Sequence, residues 1–172
     1  CSSDLQTFHP RTGRRVQLTR YQNGLKHDGP NGEPASEDFD ARSGYTTQRL
    51  LYKYGVPHDG SRGEPARQVF DSSTGRLIFL LRYDNGVRSD SPSGDPAYQK
   101  FDIETGLVIK ADRYKNGVLL RPLSEDDISE LNRKKRLFAP GTLRHTWENM
   151  FGDGRNNDDS NYDPDNGGRN GP

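Results

Sequence analysis

The sequence contains very little that could cross-link the chain or insert it into a membrane. Its one cysteine, Cys1, allows no internal disulfide and no cysteine-based metal cluster. No stretch of about 18 apolar residues occurs, so no segment is predicted to span a bilayer. The 25 basic and 25 acidic residues cancel, which leaves no net charge to attract nucleic acid or an anionic membrane.

Apolar residues are scarce as well. They make up 28% of the 172 residues, and the mean hydropathy is -1.08. A single thick core cannot be built from this composition. The chain can fold if its few large apolar residues recur at fixed places, because stacked repeats need only a few core positions in each unit.

An internal repeat with a step of 31 residues is present. Four columns keep this step without a gap: a phenylalanine, a turn glycine, a tyrosine and a second turn glycine. In that order the columns contain Phe8, Phe39, Phe70 and Phe101; Gly13, Gly44, Gly75 and Gly106; Tyr21, Tyr52, Tyr83 and Tyr114; and Gly24, Gly55, Gly86 and Gly117. A Pro-Ala pair follows the same step, beginning at Pro34-Ala35.

Two kinds of turn punctuate each unit. Asp71-Ser72-Ser73-Thr74-Gly75 is typical of a hairpin loop that ends in a left-handed glycine, and His9 replaces the aspartate in the first copy. The Asn-Gly pairs that begin with Asn23, Asn85 and Asn116 predict two-residue hairpin turns. In the second copy Tyr54 stands in the asparagine position, which weakens that turn without abolishing it.

The stretch between the two turns alternates with a period of two, which predicts a half-buried strand. One column is apolar or β-branched, a second is looser, and the column between them is mostly polar. They contain, respectively, Val16, Thr47, Ile78 and Ile109; Leu18, Arg49, Leu80 and Ala111; and Gln17, Gln48, Phe79 and Lys110. The tyrosine lies three residues past the second column, so either a bulge shifts the phase, which we favour, or the tyrosine faces the other side.

These patterns predict a mainly β protein: an open meander of four tandem 31-residue β-hairpin repeats over residues 6–123, with a short C-terminal helical segment. A lone hairpin is marginal, so neighbouring units are expected to bury a phenylalanine ladder and a tyrosine ladder between them.

The two ends are expected to differ from the array. Residues 1–5 are interpreted as a non-native start translated from a sequencing adaptor, the alternative being a matured lipoprotein that begins at Cys1. Residues 124–151 are predicted to form a helical cap. Ser124 begins its first helix, acids come first and bases last, and a second helix covers about 142–150. Residues 152–172 are polar and are predicted to be disordered.

The Tyr-x-Asn-Gly turns, together with Lys26-His27-Asp28-Gly29-Pro30 and Pro57-His58-Asp59-Gly60, resemble the MORN-variant family and related bacterial tandem repeats. The 31-residue step is longer than the usual unit of that family. The resemblance covers about residues 8–123. It implies a β-hairpin scaffold for interactions, in some members an antitoxin or immunity component, and it transfers no site residue because the family motif is structural.

No catalytic site is predicted, since neither a nucleophile elbow nor a phosphate loop occurs. His27 and His58 share a column that is not histidine in later copies, so we interpret them as surface residues. Residues 159–165 have the acidic spacing of a calcium loop without its glycine and its glutamate, and a solvated tail is the preferred interpretation. Arg133-Lys134-Lys135-Arg136 is interpreted as a solvated helix end over a nucleic-acid or targeting signal.

The sequence therefore predicts a non-catalytic scaffold that needs no cofactor and binds another protein, without nucleic acid or a membrane span; an antitoxin-like or immunity partner is one form of it. Two alternatives remain open. The tyrosine column could bind cell-surface glycan or choline, or the array could serve an enzyme whose catalytic part lies upstream. The compartment is unassigned, with the cytoplasm favoured.

Overall fold

The computed structural model describes residues 2–137, which form fourteen strands and one helix. The elements are β1 Ser2–Phe8, β2 Arg15–Gln22, β3 Leu25–Lys26, β4 Ser36–Phe39, β5 Thr46–Leu50, β6 Tyr52–Lys53, β7 Val56–Pro57, β8 Arg67–Phe70, β9 Leu77–Leu81, β10 Tyr83–Asp84, β11 Val87–Arg88, β12 Tyr98–Phe101, β13 Val108–Lys115, β14 Val118–Pro122 and α1 Glu125–Leu137.

The strands form one antiparallel meander in the order β1-β2-β4-β5-β8-β9-β12-β13-β14, and β3 pairs with β2. Two small ladders, β6–β7 and β10–β11, lie at the turns. The predicted mainly β meander with a short C-terminal helix is confirmed. The predicted second helix and polar tail lie outside the described residues. Within residues 2–137, no helix has the length and hydrophobicity needed to cross a membrane.

The hairpin loops are closed as the sequence predicts. Asp71 Oδ1 accepts the backbone N–H groups of Ser73 and Thr74 at 3.0 and 2.8 Å, and Gly75 follows at φ 70°. Hydrogen bonds from the hydroxyl groups of Ser73 and Thr74, followed by these N–H groups, lower the pKa of the Asp71 carboxyl to about 2. In the first loop His9 Nδ1 takes the place of the carboxylate and accepts the N–H of Thr12 at 3.2 Å.

The second turns place two consecutive residues at positive φ, which is the conformation that suits a two-residue hairpin. Asn23, Asn85 and Asn116 lie at φ 52°, 46° and 50°, each followed by a left-handed glycine. Tyr54 is held at φ 51°, so the turn forms in the second unit without the residue that favours it. Left-handed backbone is costly for a residue with a bulky side chain.

Replacing Tyr54 with asparagine is expected to stabilise the protein by up to about 1 kcal/mol, because asparagine tolerates the left-handed region. Tyr54 is 67% exposed, so little packing is lost. Urea unfolding followed by circular dichroism measures the change. Tyr54→Phe is the control and should leave stability unchanged; equal stability of all three proteins would show that the turn stores no strain.

The stretch before the column tyrosine differs between units: in the first, β2 continues through Tyr21 with no register shift there. In the last unit the register between β13 and β14 shifts between Arg113 and Tyr114. In the two middle units the strand breaks at Leu51 and at Arg82, and the tyrosine begins a separate short ladder. The favoured bulge in the long strand is therefore not observed in the first unit, and a break takes its place in the middle ones; in the last unit the extra residue, Leu120, lies on β14 and not on β13.

The core contains fewer aromatic side chains than the two expected ladders would place there. The alanines of the Pro-Ala pairs are its most regular members, with Ala35 and Ala97 at 0% exposure and Ala66 at 1%. Phe8 is 54% exposed, whereas Phe101 is 6% exposed. The other phenylalanines and all four tyrosines of the columns are half-buried. The two aromatic columns are therefore only partly buried, with Phe101 buried and Phe8 exposed as the exceptions.

Cations explain how half-buried rings are stable on the sheet. Arg15 lies 4.8 Å from the centre of the Phe39 ring, and Arg49 lies 5.6 Å from that of Phe70. Their stems cover apolar surface, and each charge gains about 0.5–1 kcal/mol from the ring. The low apolar content is thus compensated by long basic side chains.

The helix α1 caps the last unit. Ser124 Oγ and Asp127 exchange hydrogen bonds in the manner of a capping box, which starts the helix where the sequence predicts. Ile128 and Leu131 pack on a cluster formed by Leu80, Phe101, Val108 and Ala111.

The same helix also closes the edge of the sheet. The Asn132 side chain accepts the N–H of Val108 at 3.0 Å and donates to its carbonyl at 2.9 Å. The Asn132 amide therefore pairs with the Val108 backbone as a further strand would. Less of the β13 edge then remains for another chain to pair with.

Candidate binding surface

The sheet has two distinct faces. Neighbouring residues of a strand point to opposite sides. Leu80 packs with α1, so Leu80 and its lateral neighbours Gln68 and Gln99 lie on what we name the inner face. Phe79, next to Leu80, lies on the other side, which we name the outer face.

The outer face carries a continuous line of touching side chains, which we name the outer ladder. It crosses from β2 to β13, about 30 Å at the usual strand spacing. Its members are Gln17, Asp38, Gln48, Arg67, Phe79, Tyr98 and Lys110.

The first half of the outer ladder is polar. Gln17 and Gln48 donate to the two carboxylate oxygens of Asp38, each at 3.0 Å. The side-chain oxygen of Gln48 then accepts from Arg67 Nε and NH2 at 3.1 and 2.8 Å. These bonds hold the groups in fixed positions before any ligand binds, which lowers the entropy cost of recognition.

The second half of the outer ladder is aromatic. Arg67 lies 5.7 Å from the centre of the Phe79 ring, and the rings of Phe79 and Tyr98 lie 6.2 Å apart at 43°. Lys110 follows, 5.9 Å from Tyr98 and 3.9 Å from the carboxylate of Asp112. A guanidinium, two adjacent rings and an ammonium thus follow one another across four neighbouring strands.

A shallow depression of about 490 Å³ lies against the centre of the outer ladder. Its lining includes Asp38, Gln48, Arg67, Val69 and Phe79. It is wide and open, and it places the opposite charges of Asp38 and Arg67, which Gln48 joins, beside the apolar Val69 and Phe79. A surface of this shape suits a side chain or short segment of a macromolecule better than an enclosed small molecule.

Aspartates join successive units and were not predicted as structural residues. Asp59 Oδ1 accepts the N–H groups of Ala66 and Tyr83, both at 2.9 Å, and its own N–H donates to the Tyr83 carbonyl at 2.8 Å. Asp28 and Asp90 repeat all three bonds with the residues 7 and 24 positions ahead. We name each such arrangement an aspartate staple.

The three staples differ in their cation. Arg82 binds Asp59 and Arg113 binds Asp90, both with N–O distances of 2.9 Å, whereas Leu51 stands at the corresponding place beside Asp28. Burial raises the pKa of the Asp28 and Asp59 carboxyls, against the lowering effect of the backbone bonds. The staples hold units together and lie apart from the outer ladder.

The turn glycines provide a second contact between units. Gly117 donates its N–H to the Arg88 carbonyl at 2.8 Å, and a Cβ at this position would lie 3.3 Å from Val87 Cγ1. Gly55 and Gly86 repeat the bond to Lys26 and Pro57. Each turn therefore rests on the turn before it.

The tyrosine column is built into these contacts between units. Arg88 lies 5.9 Å from the Tyr83 ring and 4.8 Å from the Tyr114 ring, and Lys26 lies 5.5 Å from the Tyr52 ring. Basic side chains of the protein therefore already lie against these rings. A sugar or choline would need the same ring faces in order to bind.

The histidines occupy local positions. His27 packs edge-on against Tyr54 at 5.1 Å, and His58 accepts the N–H of Asn85 at 3.3 Å. Of the basic run, Arg133 and Lys134 are exposed and pair with Glu130. The acidic stretch 159–165 lies outside the described residues.

Sequence reasoning found the turns and missed the surface. Among the repeat positions, Phe70 borders the depression. The polar column of Gln17, Gln48, Phe79 and Lys110 contributes four of the seven members of the outer ladder. The polarity of this column indicated which side of the strand faces outward. The residues beside it on neighbouring strands could not be known without the strand register.

Comparisons with protein-family models, with curated proteins and with solved structures give no match for this chain.

Proposed function

We propose that this protein is a non-catalytic scaffold that binds another protein through the outer ladder. The arrangement of Arg67 between Gln48 and Phe79, with Tyr98 beside it, is the observation that carries the proposal. Arginine and aromatic residues are enriched at protein interfaces and at the residues that dominate their binding energy.

The size and form of the surface fit this role. A line of about 30 Å across the sheet, two or three side chains wide, is comparable with the roughly 800 Å² that each partner of a standard interface buries. The central rings supply apolar contact, and the flanking Gln17, Lys100 and Lys110 are exposed, as the polar rim of an interface is. An antitoxin or immunity protein is one form of such a scaffold, and a toxin-like gene beside its own would identify that form.

The combined substitution Arg67→Ala and Phe79→Ala tests the proposal. Immobilised wild-type protein is incubated with an extract of the source cells, and the retained proteins are quantified by mass spectrometry. We expect the variant to retain its specific partner at least about tenfold less, since central residues of these types each contribute about 2 kcal/mol or more.

Arg62→Ala with Tyr54→Ala is the matched control, because it also removes one arginine and one aromatic residue, at sites that are 71% and 67% exposed and away from the outer ladder. The control should bind as the wild type does. Equal retention by all three proteins, with circular dichroism showing that all are folded, would refute the outer ladder as the binding surface.

A further inference from the structure

Apolar side chains are exposed in a row along the second turns of the repeat. In every unit the residue that follows the second-turn glycine is leucine or valine, and two more leucines extend the row at its C-terminal end. All six side chains are between 41% and 64% exposed. We name this surface the turn ridge, and its members are Leu25, Val56, Val87, Val118, Leu119 and Leu120.

The turn ridge is continuous because each turn rests on the turn before it. A Cβ on Gly55 would lie 3.4 Å from Leu25 Cδ2, and one on Gly117 would lie 3.3 Å from Val87 Cγ1. Successive units are two strands apart, so the ridge has a step of about 10 Å and a length of about 29 Å. It is therefore an apolar row of regular step along one side of the array.

Packing between turns does not account for this row. Leu25, Val56 and Val87 remain exposed even though a glycine of the next turn lies over each of them. Val118 is apolar as well, although residues 119–137 contain no glycine that could rest on it. Six of the eleven large hydrophobic residues that are exposed among residues 2–137 belong to the ridge. A contiguous apolar patch with a polar rim is typical of an interaction surface.

The charges beside the turn ridge are mostly positive. Its four turn segments contain four basic residues and one acidic residue, although basic and acidic residues balance in the whole chain. The segments are residues 22–27, 53–58, 84–89 and 115–120, and their charged residues are Lys26, Lys53, Asp84, Arg88 and Lys115. Lys53 and Lys115 are exposed. Two copies of a basic surface repel each other, so the ridge suits an acidic partner better than a second copy of the chain.

The step of the turn ridge matches that of an α-helix. Seven residues of a helix advance it by about 10.5 Å and return to nearly the same side, so apolar residues at heptad spacing meet successive members of the ridge. In an extended strand, residues about 10 Å apart are three positions apart and point to opposite sides. A polyproline segment has a comparable step, but it docks on aromatic side chains, and the ridge is aliphatic.

We propose that the turn ridge binds an acidic amphipathic helix of a partner protein. Apolar residues of that helix at heptad spacing lie against the leucine and valine side chains, and its carboxylates pair with Lys53 and Lys115. The inference goes beyond the proposed function, because the ridge lies at the second turns and shares no residue with the outer ladder. A scaffold with two such surfaces can hold two proteins at the same time.

An acidic model helix tests this surface directly. The probe is a fluorescent peptide of about 21 residues, which spans about 31 Å as a helix, with leucine at the apolar heptad positions and glutamate or alanine elsewhere. Fluorescence anisotropy with the full-length protein should show saturable binding that weakens as the salt concentration rises. A peptide of the same composition in scrambled order should bind at least about tenfold more weakly. Equal binding of the two peptides would overturn the proposal.

Two ridge variants and one control separate the turn ridge from the outer face. Val56→Thr with Val87→Thr keeps the side-chain size and should weaken binding about tenfold, because each change buries a hydroxyl in place of a methyl group. Lys53→Glu with Lys115→Glu should weaken binding severalfold, most strongly at low salt. Lys100→Glu with Lys110→Glu makes the same charge changes on the outer face and should bind as the wild type does. Loss of binding in this control alone would overturn the proposal.

A photo-reactive group at the central leucine of the peptide locates the site on the wild-type protein, so this measurement does not depend on the folding of any variant. Cross-links to residues 53–58 or 84–89 are expected. Cross-links confined to residues 67–70 or 77–81 would place the peptide away from the ridge and overturn the proposal. A wild-type dimer in sedimentation velocity that Val56→Thr with Val87→Thr converts to a monomer would assign the ridge to a second copy and overturn it as well.

Discussion

Replacing Asp59 with alanine is expected to destabilise the protein by roughly 3–5 kcal/mol, because the change removes one partner of a buried ion pair and two backbone hydrogen bonds together. The side chains of Asp59 and Arg82 are 18% and 9% exposed, so water replaces the lost contacts poorly. Arg82 would keep its 2.9 Å bond to the Gly63 carbonyl but lose the nearer of its two counter-charges, with Asp95 left at 3.7 Å. Urea unfolding followed by circular dichroism measures the loss.

Arg82→Leu is the matched variant, because it gives the second staple the composition that the first staple has at Leu51. Asp59 would keep both N–H donors, so the cost at pH 7 should be smaller than that of Asp59→Ala. Without the guanidinium, the raised pKa of Asp59 should rise further. A raised pKa means that the folded state binds the proton more tightly than the unfolded state, so the cost of Arg82→Leu should shrink as the pH falls toward that pKa.

Equal costs for the two variants at every pH would contradict this account of the staple. It would mean that the ion pair, and not the pair of backbone bonds, supplies the stability of the junction.

The second large effect is expected at the edge of the sheet. Asn132→Leu keeps the volume of the side chain but removes both bonds to Val108, a residue that is 2% exposed. Two buried backbone groups lose their partners, so we expect a loss of about 2–4 kcal/mol in the free energy of unfolding. The newly available edge of β13 should also promote concentration-dependent association, which sedimentation velocity detects.

Ser129→Leu is the control for this experiment. It adds the same side chain at an exposed position of α1, where no edge is opened. Association of both variants to the same extent would attribute the effect to added hydrophobic surface and not to the edge.

The parts of the fold that could be predicted are those in which local backbone geometry restricts residue type. Positive φ values favour asparagine and glycine, so Asn85-Gly86 predicted its turn from two residues alone. Ser124 predicted the start of α1 for a similar reason, since its hydroxyl meets an N–H group only three residues away.

The parts that could not be predicted depend on contacts between distant residues. Asp59 meets Tyr83, 24 residues ahead, and its column of aspartates was visible in the sequence without any indication of what the carboxylates bind. Arg67 meets Gln48 because β5 and β8 pair in one particular register, and several registers are compatible with the alternation of a strand.

The most buried column of the small core is not an aromatic one. A tyrosine or phenylalanine that recurs at a fixed step suggests a buried ladder, yet alanine fills the most buried column. The rings instead lie under arginine and lysine stems, and a sequence rich in both residue types gives no sign of this pairing.

Because of the aspartate staple, the 31-residue block that begins at the aromatic motif does not contain all of its own contacts, whereas a block that begins at the aspartate does. A transplant of residues 70–100, which begins at the phenylalanine, would carry Tyr83 away from Asp59 and leave Asp90 without Tyr114. A transplant of residues 59–89 would move the carboxylate, its two amide donors and Arg82 as one piece. Engineered arrays of different length should therefore be spliced immediately before an aspartate, a frame that is circularly permuted relative to the aromatic motif.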